Sequence, residues 1–301
     1  MICTENLPGP FEVEHPEVYQ LEISSACNLN CIMCPRKYFP RKDTKDYISL
    51  ELIDKLIEED SFKGTYFLEL QMSGEPLLHP SFYFVVQRLR DALPNIKLGL
   101  STNGTKIIEH IQSLKKLDYI TVSVDSITAY SDIRKGGNLK LLMAGIKCLQ
   151  DNIDFNKTSV DLQLVELEGW EDQLKHVQNE FGDSPFNIRT VPDRSLTLHN
   201  EVDKLPVRNT PCVNPWWSVS IQSNGNVVPC CFCFGDDIIL GNVHKASLSH
   251  IWKHSGTLKA LKAAHTPDSG ALMPMICQKC YMRSPAFLHW NIYCNSLKRK
   301  I

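Results

Sequence analysis

From Tyr19 to Val191 short β-branched or apolar runs alternate with longer amphipathic ones, and this alternation constrains the fold more than any other feature. Strands are expected at Tyr19–Ile23, Tyr66–Gln71, Ile96–Leu100, Tyr119–Val124, Ser159–Leu164 and Asn187–Val191. Helices are expected between them, at Leu50–Glu59, Phe82–Leu93, Ile107–Leu117, Leu139–Asn152 and Trp170–Phe181. Strands that alternate with helices imply parallel βα units. Six of them fit an α/β fold built as an open, partial (β/α)6 barrel. Sites in such folds collect at the C-terminal ends of the strands.

The first strand runs straight into Cys27-Asn28-Leu29-Asn30-Cys31-Ile32-Met33-Cys34, a C-x3-C-x2-C loop on that functional rim. Three thiols in one short loop converge on a metal centre only if the backbone wraps around it. Soft thiolate ligands favour iron–sulfur clusters or zinc, and a zinc site wants a fourth ligand close by. A cubane held by three thiolates keeps one iron open.

This loop resembles the cluster-binding motif of the radical S-adenosyl-L-methionine (SAM) superfamily. The resemblance implies a 4Fe-4S cluster on Cys27, Cys31 and Cys34, with SAM chelated at the open iron and cleaved reductively to a 5′-deoxyadenosyl radical. It further implies an external electron donor such as flavodoxin or ferredoxin. Met33 stands where the family usually has an aromatic residue, at a position whose family role is backbone contact with the adenine. Ser73-Gly74-Glu75-Pro76, after the second strand, looks like the family's Gly-Glu motif for the methionine amino group. Ser101 and Asn103 after the third strand, and Ser123 and Asp125 after the fourth, match positions that bind the SAM ribose or carboxylate. Short polar residues there also cap helices.

Beyond Pro206 the pattern changes. A proline-dense stretch, Pro206 to Pro215, reads as a boundary, which divides the chain into an extension (1–18), the barrel (19–205) and a smaller region (206–301). In the last, Trp217–Gln222 and Asn226–Cys231 flank Ser223-Asn224-Gly225 as a hairpin, and a helix is expected from Leu248 to Ala264. Cys212-x12-Gly225-x4-Cys230, followed by Cys277-x2-Cys280, resembles the auxiliary-cluster region of SPASM and shortened "twitch" radical SAM enzymes. That resemblance implies an auxiliary 4Fe-4S cluster on Cys212, Cys230, Cys277 and Cys280. Cys294 complicates the ligand set, because Cys277-x2-Cys280-x13-Cys294 is also similar to the three-cysteine cluster of the molybdenum-cofactor cyclase, in which an open iron binds substrate. That similarity implies cyclase-like chemistry at an open auxiliary cluster as an alternative.

Composition narrows the setting. The chain of 301 residues balances 32 Lys and Arg against 34 Asp and Glu, so no basic field argues for nucleic acid. Its twelve cysteines come without a signal-peptide pattern at Met1, which favours a reducing, cytoplasmic compartment over a disulfide framework. No apolar run approaches the roughly 18 residues of a membrane span.

Two outcomes of hydrogen abstraction stay open. A four-thiolate auxiliary cluster is suited to remove an electron from the substrate radical, giving a two-electron oxidation. This is the scheme of the butirosin-pathway aminocyclitol dehydrogenase, which the arrangement resembles. A thiol facing the substrate, with Cys231, Cys233 and Cys294 as candidates, would instead return a hydrogen atom and invert the centre, as in radical SAM epimerases. Residues 1–18 are too few for a leader-peptide recognition domain, so a small polyol, aminocyclitol or sugar, or a short peptide bound directly, is the expected substrate. Glu166, Arg189 and Arg194, beyond the fifth and sixth strands, are candidate substrate contacts. A non-enzymatic zinc-binding adaptor is the alternative from another class.

Overall fold

The computed structural model describes residues 13–38, 43–193, 211–233, 238–266, 268–278, 280 and 283. The six expected βα strands are β1 (Val18–Leu21), β2 (Phe67–Leu70), β3 (Lys97–Thr102), β4 (Tyr119–Ser123), β5 (Ser159–Glu166) and β6 (Asn187–Pro192). They pair in parallel in chain order. The helices on the crossovers are α1 (Leu50–Glu58), α2 (Phe82–Ala92), α3 (Ile107–Leu114), α4 (Tyr130–Ile133), α5 (Leu139–Asn152) and α6 (Trp170–Phe181).

Local chemistry sets several helix starts. Ser49 Oγ accepts from Leu52 N at 3.1 Å to open α1, and Asn138 Oδ1 accepts from Lys140 N at 2.9 Å to open α5. Each satisfies a backbone donor that the first turn leaves without an intrahelical partner.

The sheet does not end at β1. After the short helix α7 (Asn214–Trp217), β7 (Ser218–Ile221) pairs in parallel with β1, with Leu21 opposite Ile221. β8 (Asn226–Val228) and β9 (Gly241–Asn242) then continue antiparallel, which gives, among the described residues, one nine-stranded sheet in the order β6-β5-β4-β3-β2-β1-β7-β8-β9. The hairpin that carries Cys230 therefore extends the barrel sheet rather than forming a sheet of its own.

The expected helix over Leu248–Ala264 is two helices, α8 (Leu248–His254) and α9 (Gly256–Ala264), followed by α10 (Met275–Gln278). Ser255 breaks it. Its backbone is non-helical, and its Oγ accepts from Leu258 N at 3.2 Å, so the residue that ends one helix caps the next. Ser255-Gly256 is a stop-and-start signal that the hydrophobic periodicity running through it conceals.

Alternation along the strands sorts the two sheet faces. Leu21, Leu68, Leu70, Leu100, Ile120, Val122, Leu162 and Leu164 join the helices in one core cluster. The other face carries Gln20, Glu69, Ser101, Thr121, Asp161, Gln163, Arg189 and Ser220, which strand register aligns across seven strands. This inner face is polar through its middle rows, with Val18, Phe67 and Tyr119 beside them on the same face. Among the described residues no helix is long and apolar enough to cross a membrane.

Candidate active site and auxiliary cluster site

The Cys27–Cys34 loop leaves β1 at Glu22 and is held from three sides. Asn30 N donates to Lys135 O at 2.8 Å and Ile32 N to Ile133 O at 2.9 Å, which fastens it to the end of α4. Glu75 N donates to Ala26 O at 2.7 Å, which fastens it to the loop after β2. Asn103 Nδ2 donates to Asn28 Oδ1 at 2.9 Å, which ties it to the loop after β3. All three thiols are pushed above the ordinary cysteine value, chiefly by burial, and each feels the charge of another of the three. Metal coordination deprotonates such thiols, so three cysteines within electrostatic reach of one another, Cys31 buried and Cys27 and Cys34 half-buried, suit the three-thiolate corner of a cubane.

Ser73 and Gly74 lie against this loop. A Cβ on Gly74 would fall 2.3 Å from Ser24 O and 2.5 Å from Ala26 O, so the two backbones meet at a distance only glycine permits. Gly74→Ala is expected to destabilise the apoprotein by about 1–3 kcal/mol through overpacking and to release iron from the first loop. Denaturant unfolding together with an iron assay checks this, and unchanged values for both would show that the contact is dispensable.

The Glu75 carboxylate is committed to the protein. It is 2% exposed, and it accepts from Thr102 Oγ1 at 2.6 Å, Asn103 N at 2.7 Å and Leu77 N at 3.1 Å. Burial pushes its pKa up, and these donors pull the other way. The side chain thus locks the loop after β2 to the loop after β3. Asp125, in the left-handed region at φ 59°, is also committed, with Oδ2 accepting from Arg134 Nε at 2.6 Å and Oδ1 from Val165 N at 2.8 Å. Arg134 in turn directs Nη1 to Cys31 Sγ at 3.7 Å.

Ser101 lies within β3, not beyond it, and its Oγ donates to Glu69 Oε1 on the inner face at 2.9 Å. Ser123 is the last residue of β4 and Met33 lies in the cysteine loop, both half-buried. Arg189 is engaged too: its Nε lies 2.8 Å from Asp161 Oδ2, and it donates to Thr121 Oγ1 at 3.2 Å. Glu166 accepts from Thr190 Oγ1 at 2.8 Å at the rim. Arg194 and Cys294 lie outside the described residues.

Arg134 and Glu22 are among the buried charged residues that escape sequence reasoning. Glu22 is fully buried at the end of β1. It accepts from the backbone and hydroxyl of Ser73 on one side, and from Ser223 N at 3.2 Å and Ser223 Oγ at 2.9 Å on the other. One carboxylate therefore joins the strip beside the cysteine loop to the turn of the β7–β8 hairpin.

The second site is a cavity lined by Cys212, Cys230, Cys233, Cys277 and Cys280, together with His265 and Arg283. Cys212 precedes α7, Cys230 and Cys233 follow β8, and Cys277 sits in α10, so separate elements deliver the thiols to one place. Cys212 is within electrostatic reach of Cys230, Cys280 and Cys277, and burial pushes it well above the ordinary value. Cys277 is pushed up to about 12, again mainly by burial. Cys230 is held below the ordinary value, first by a hydrogen bond from Cys233. Cys231 does not line the cavity.

His265 Nδ1 accepts from Cys212 N at 3.2 Å, and burial followed by the Arg283 charge lowers its pKa to about 4. Arg283 donates Nη1 to Cys277 O at 3.1 Å and to Gln278 O at 3.3 Å. A neutral imidazole and a buried guanidinium beside these cysteines would suit an anionic iron–sulfur cluster, whose potential depends on nearby charge and hydrogen bonds.

Residues 21–168 match the radical SAM superfamily, and residues 212–281 match SPASM, an iron–sulfur cluster-binding domain. This chain is a radical SAM enzyme with a SPASM-type auxiliary domain. Its cofactors are a 4Fe-4S cluster, SAM and an auxiliary iron–sulfur centre.

Among curated proteins it is 26% identical over 177 residues to the GTP 3′,8-cyclase of Limosilactobacillus fermentum, covering 57% of this chain and 52% of that one. The chain thus spans about half the length of that relative. It is 24% identical over 273 residues to the S-adenosyl-L-methionine-dependent 2-deoxy-scyllo-inosamine dehydrogenase of Niallia circulans, covering 87% of this chain and 91% of that one. The crystal structure of BtrN in complex with AdoMet and 2-DOIA shares the fold, with a TM-score of 0.55 and 20% identity over 88% of this chain and 92% of that one.

Proposed function

We propose that this enzyme abstracts a carbon-bound hydrogen from a small polyol, aminocyclitol or sugar and completes a two-electron oxidation. Cys27, Cys31 and Cys34 would hold the 4Fe-4S cluster that, given one electron by an external donor such as flavodoxin or ferredoxin, would let bound SAM supply the hydrogen-abstracting radical. Cys212, Cys230, Cys277 and Cys280 would hold the centre that takes up the electron the substrate gives up, with a proton, after the hydrogen atom. The observation that carries this reading is the convergence of Cys212, Cys230, Cys277 and Cys280 on one cavity, because four thiolate ligands leave no iron for substrate and suit the centre to electron transfer. The polar inner face, with Glu69 and Ser101 hydrogen-bonded across β2 and β3, supports a hydroxyl- or amine-bearing substrate, and so does the similarity to an aminocyclitol dehydrogenase. Within this reading the Ser73 and Gly74 carbonyls receive the SAM ammonium, and Asn103 and Ser123 border its ribose and carboxylate.

The epimerase reading needs a thiol opposite the radical carbon. Cys233 is 1% exposed and sits among the auxiliary thiols, which favours a role at the cluster over one at the substrate. The product should therefore be two hydrogens lighter than the substrate, by mass spectrometry of reactions with 2-deoxy-scyllo-inosamine and related aminocyclitols. A product of unchanged mass that carries solvent deuterium at the attacked carbon would establish inversion instead.

A further inference from the structure

Among the described residues five cysteines line the auxiliary cavity, and a closed cubane uses four. Cys233 is the extra one. Its Sγ lies 4.0 Å from Cys230 Sγ, within sulfur hydrogen-bonding distance. Two backbone restraints hold it there: Cys233 N donates to Cys230 O at 3.1 Å, closing a tight turn, and Gln222 Nε2 donates to Cys233 O at 3.3 Å. Gln222 and Cys233 are both fully enclosed, at 0% and 1% exposure, so the Cys233 side of the pairing is shielded from water, while Cys230 is half-buried.

We infer that Cys233 is not a ligand but the hydrogen-bond donor to the Cys230 sulfur of the auxiliary cluster, and that it raises that cluster's reduction potential. The inference rests on the four-thiolate reading above. Coordination strips the proton from Cys230 and leaves its sulfur an acceptor only, so the one S–H remaining in the pair belongs to Cys233. A hydrogen bond to a cluster sulfur favours the oxidation state with more negative charge, which is the reduced one. A higher potential makes the cluster a better acceptor for the electron leaving the substrate radical. Cys233 therefore acts through Cys230, and it needs no contact with substrate.

The test compares wild type, Cys233→Ala and Cys233→Ser, all full-length and reconstituted anaerobically, by iron content and EPR-monitored redox titration of the auxiliary cluster. All three should hold about eight irons per chain. The alanine variant should show a lowered auxiliary potential, and serine, which keeps a donor, should stay nearer wild type. Pulsed EPR in deuterated buffer should detect an exchangeable deuteron coupling to the reduced auxiliary cluster in wild type and serine that is missing in alanine, over the background of the backbone and Arg283 N–H deuterons common to all three. An unchanged potential in the alanine variant overturns the inference, as does loss of about half its iron, which would make Cys233 a ligand. Wild type with only about four irons overturns both the inference and the four-thiolate reading, whereas full iron with an unmoved potential overturns the inference alone.

Discussion

Replacing Cys27, Cys31 and Cys34 together with alanine is expected to reduce 5′-deoxyadenosine formation to background while about four irons per chain remain. The loop around β1 holds the three thiols on the rim where parallel strands gather their sites, and the auxiliary cysteines sit on other elements, so the two losses should separate. Apart from the Arg134 contact to Cys31 Sγ, the loop's fastenings pass through backbone groups, Asn28 and Glu75, so the variant should still fold. Iron analysis and chromatographic quantitation of 5′-deoxyadenosine check this. Retained SAM cleavage, or loss of all iron, would contradict it.

Much of this arrangement is legible in the sequence because it depends on local pattern. The strand–helix alternation positions β1 to β6 within a residue or two, and α5 and α6 match their expected bounds. Clustered spacing betrays the cysteine loop, and the order of the remaining cysteines betrays the second site. What escapes depends on pairing across distance. That β7 adds to the free edge of β1 is a tertiary fact, set by neither segment alone. Glu22, sitting in an apolar strand run, reads as a strand-end charge until Ser73 and Ser223 are seen to supply its donors from either side.

The short polar residues at the strand ends illustrate the same limit. Glu75 and Asp125 occupy positions that suggest cofactor contact, yet both carboxylates are spent on the protein: Glu75 on Thr102, Asn103 and Leu77, Asp125 on Arg134 and Val165. A buried carboxylate with several donors holds loops in register, and leaving those donors unmatched would be costly. Likewise Arg189 is drawn into the inner face by Asp161, a partner on the preceding strand that periodicity alone does not reveal. Cys233 is two residues from Cys231 in sequence, and only the turn after β8 shows that one lines the cavity and the other does not.

The second large effect concerns the auxiliary site, and it bears on the central claim of two distinct clusters, one open and one closed. Cys280→Ala is expected to remove about half of the iron while uncoupled SAM cleavage persists, because Cys280 shares its cavity with Cys212, Cys230 and Cys277 and not with the first loop. The most direct measurement is metal analysis with EPR of the reduced wild-type chain before and after addition of SAM. Two clusters should appear, with about eight irons and no zinc, and SAM should change the signal of one and leave the other as it was; Cys280→Ala should abolish the unchanged one. Zinc at the second site, or two signals that both respond to SAM, would contradict the division into an open and a closed cluster.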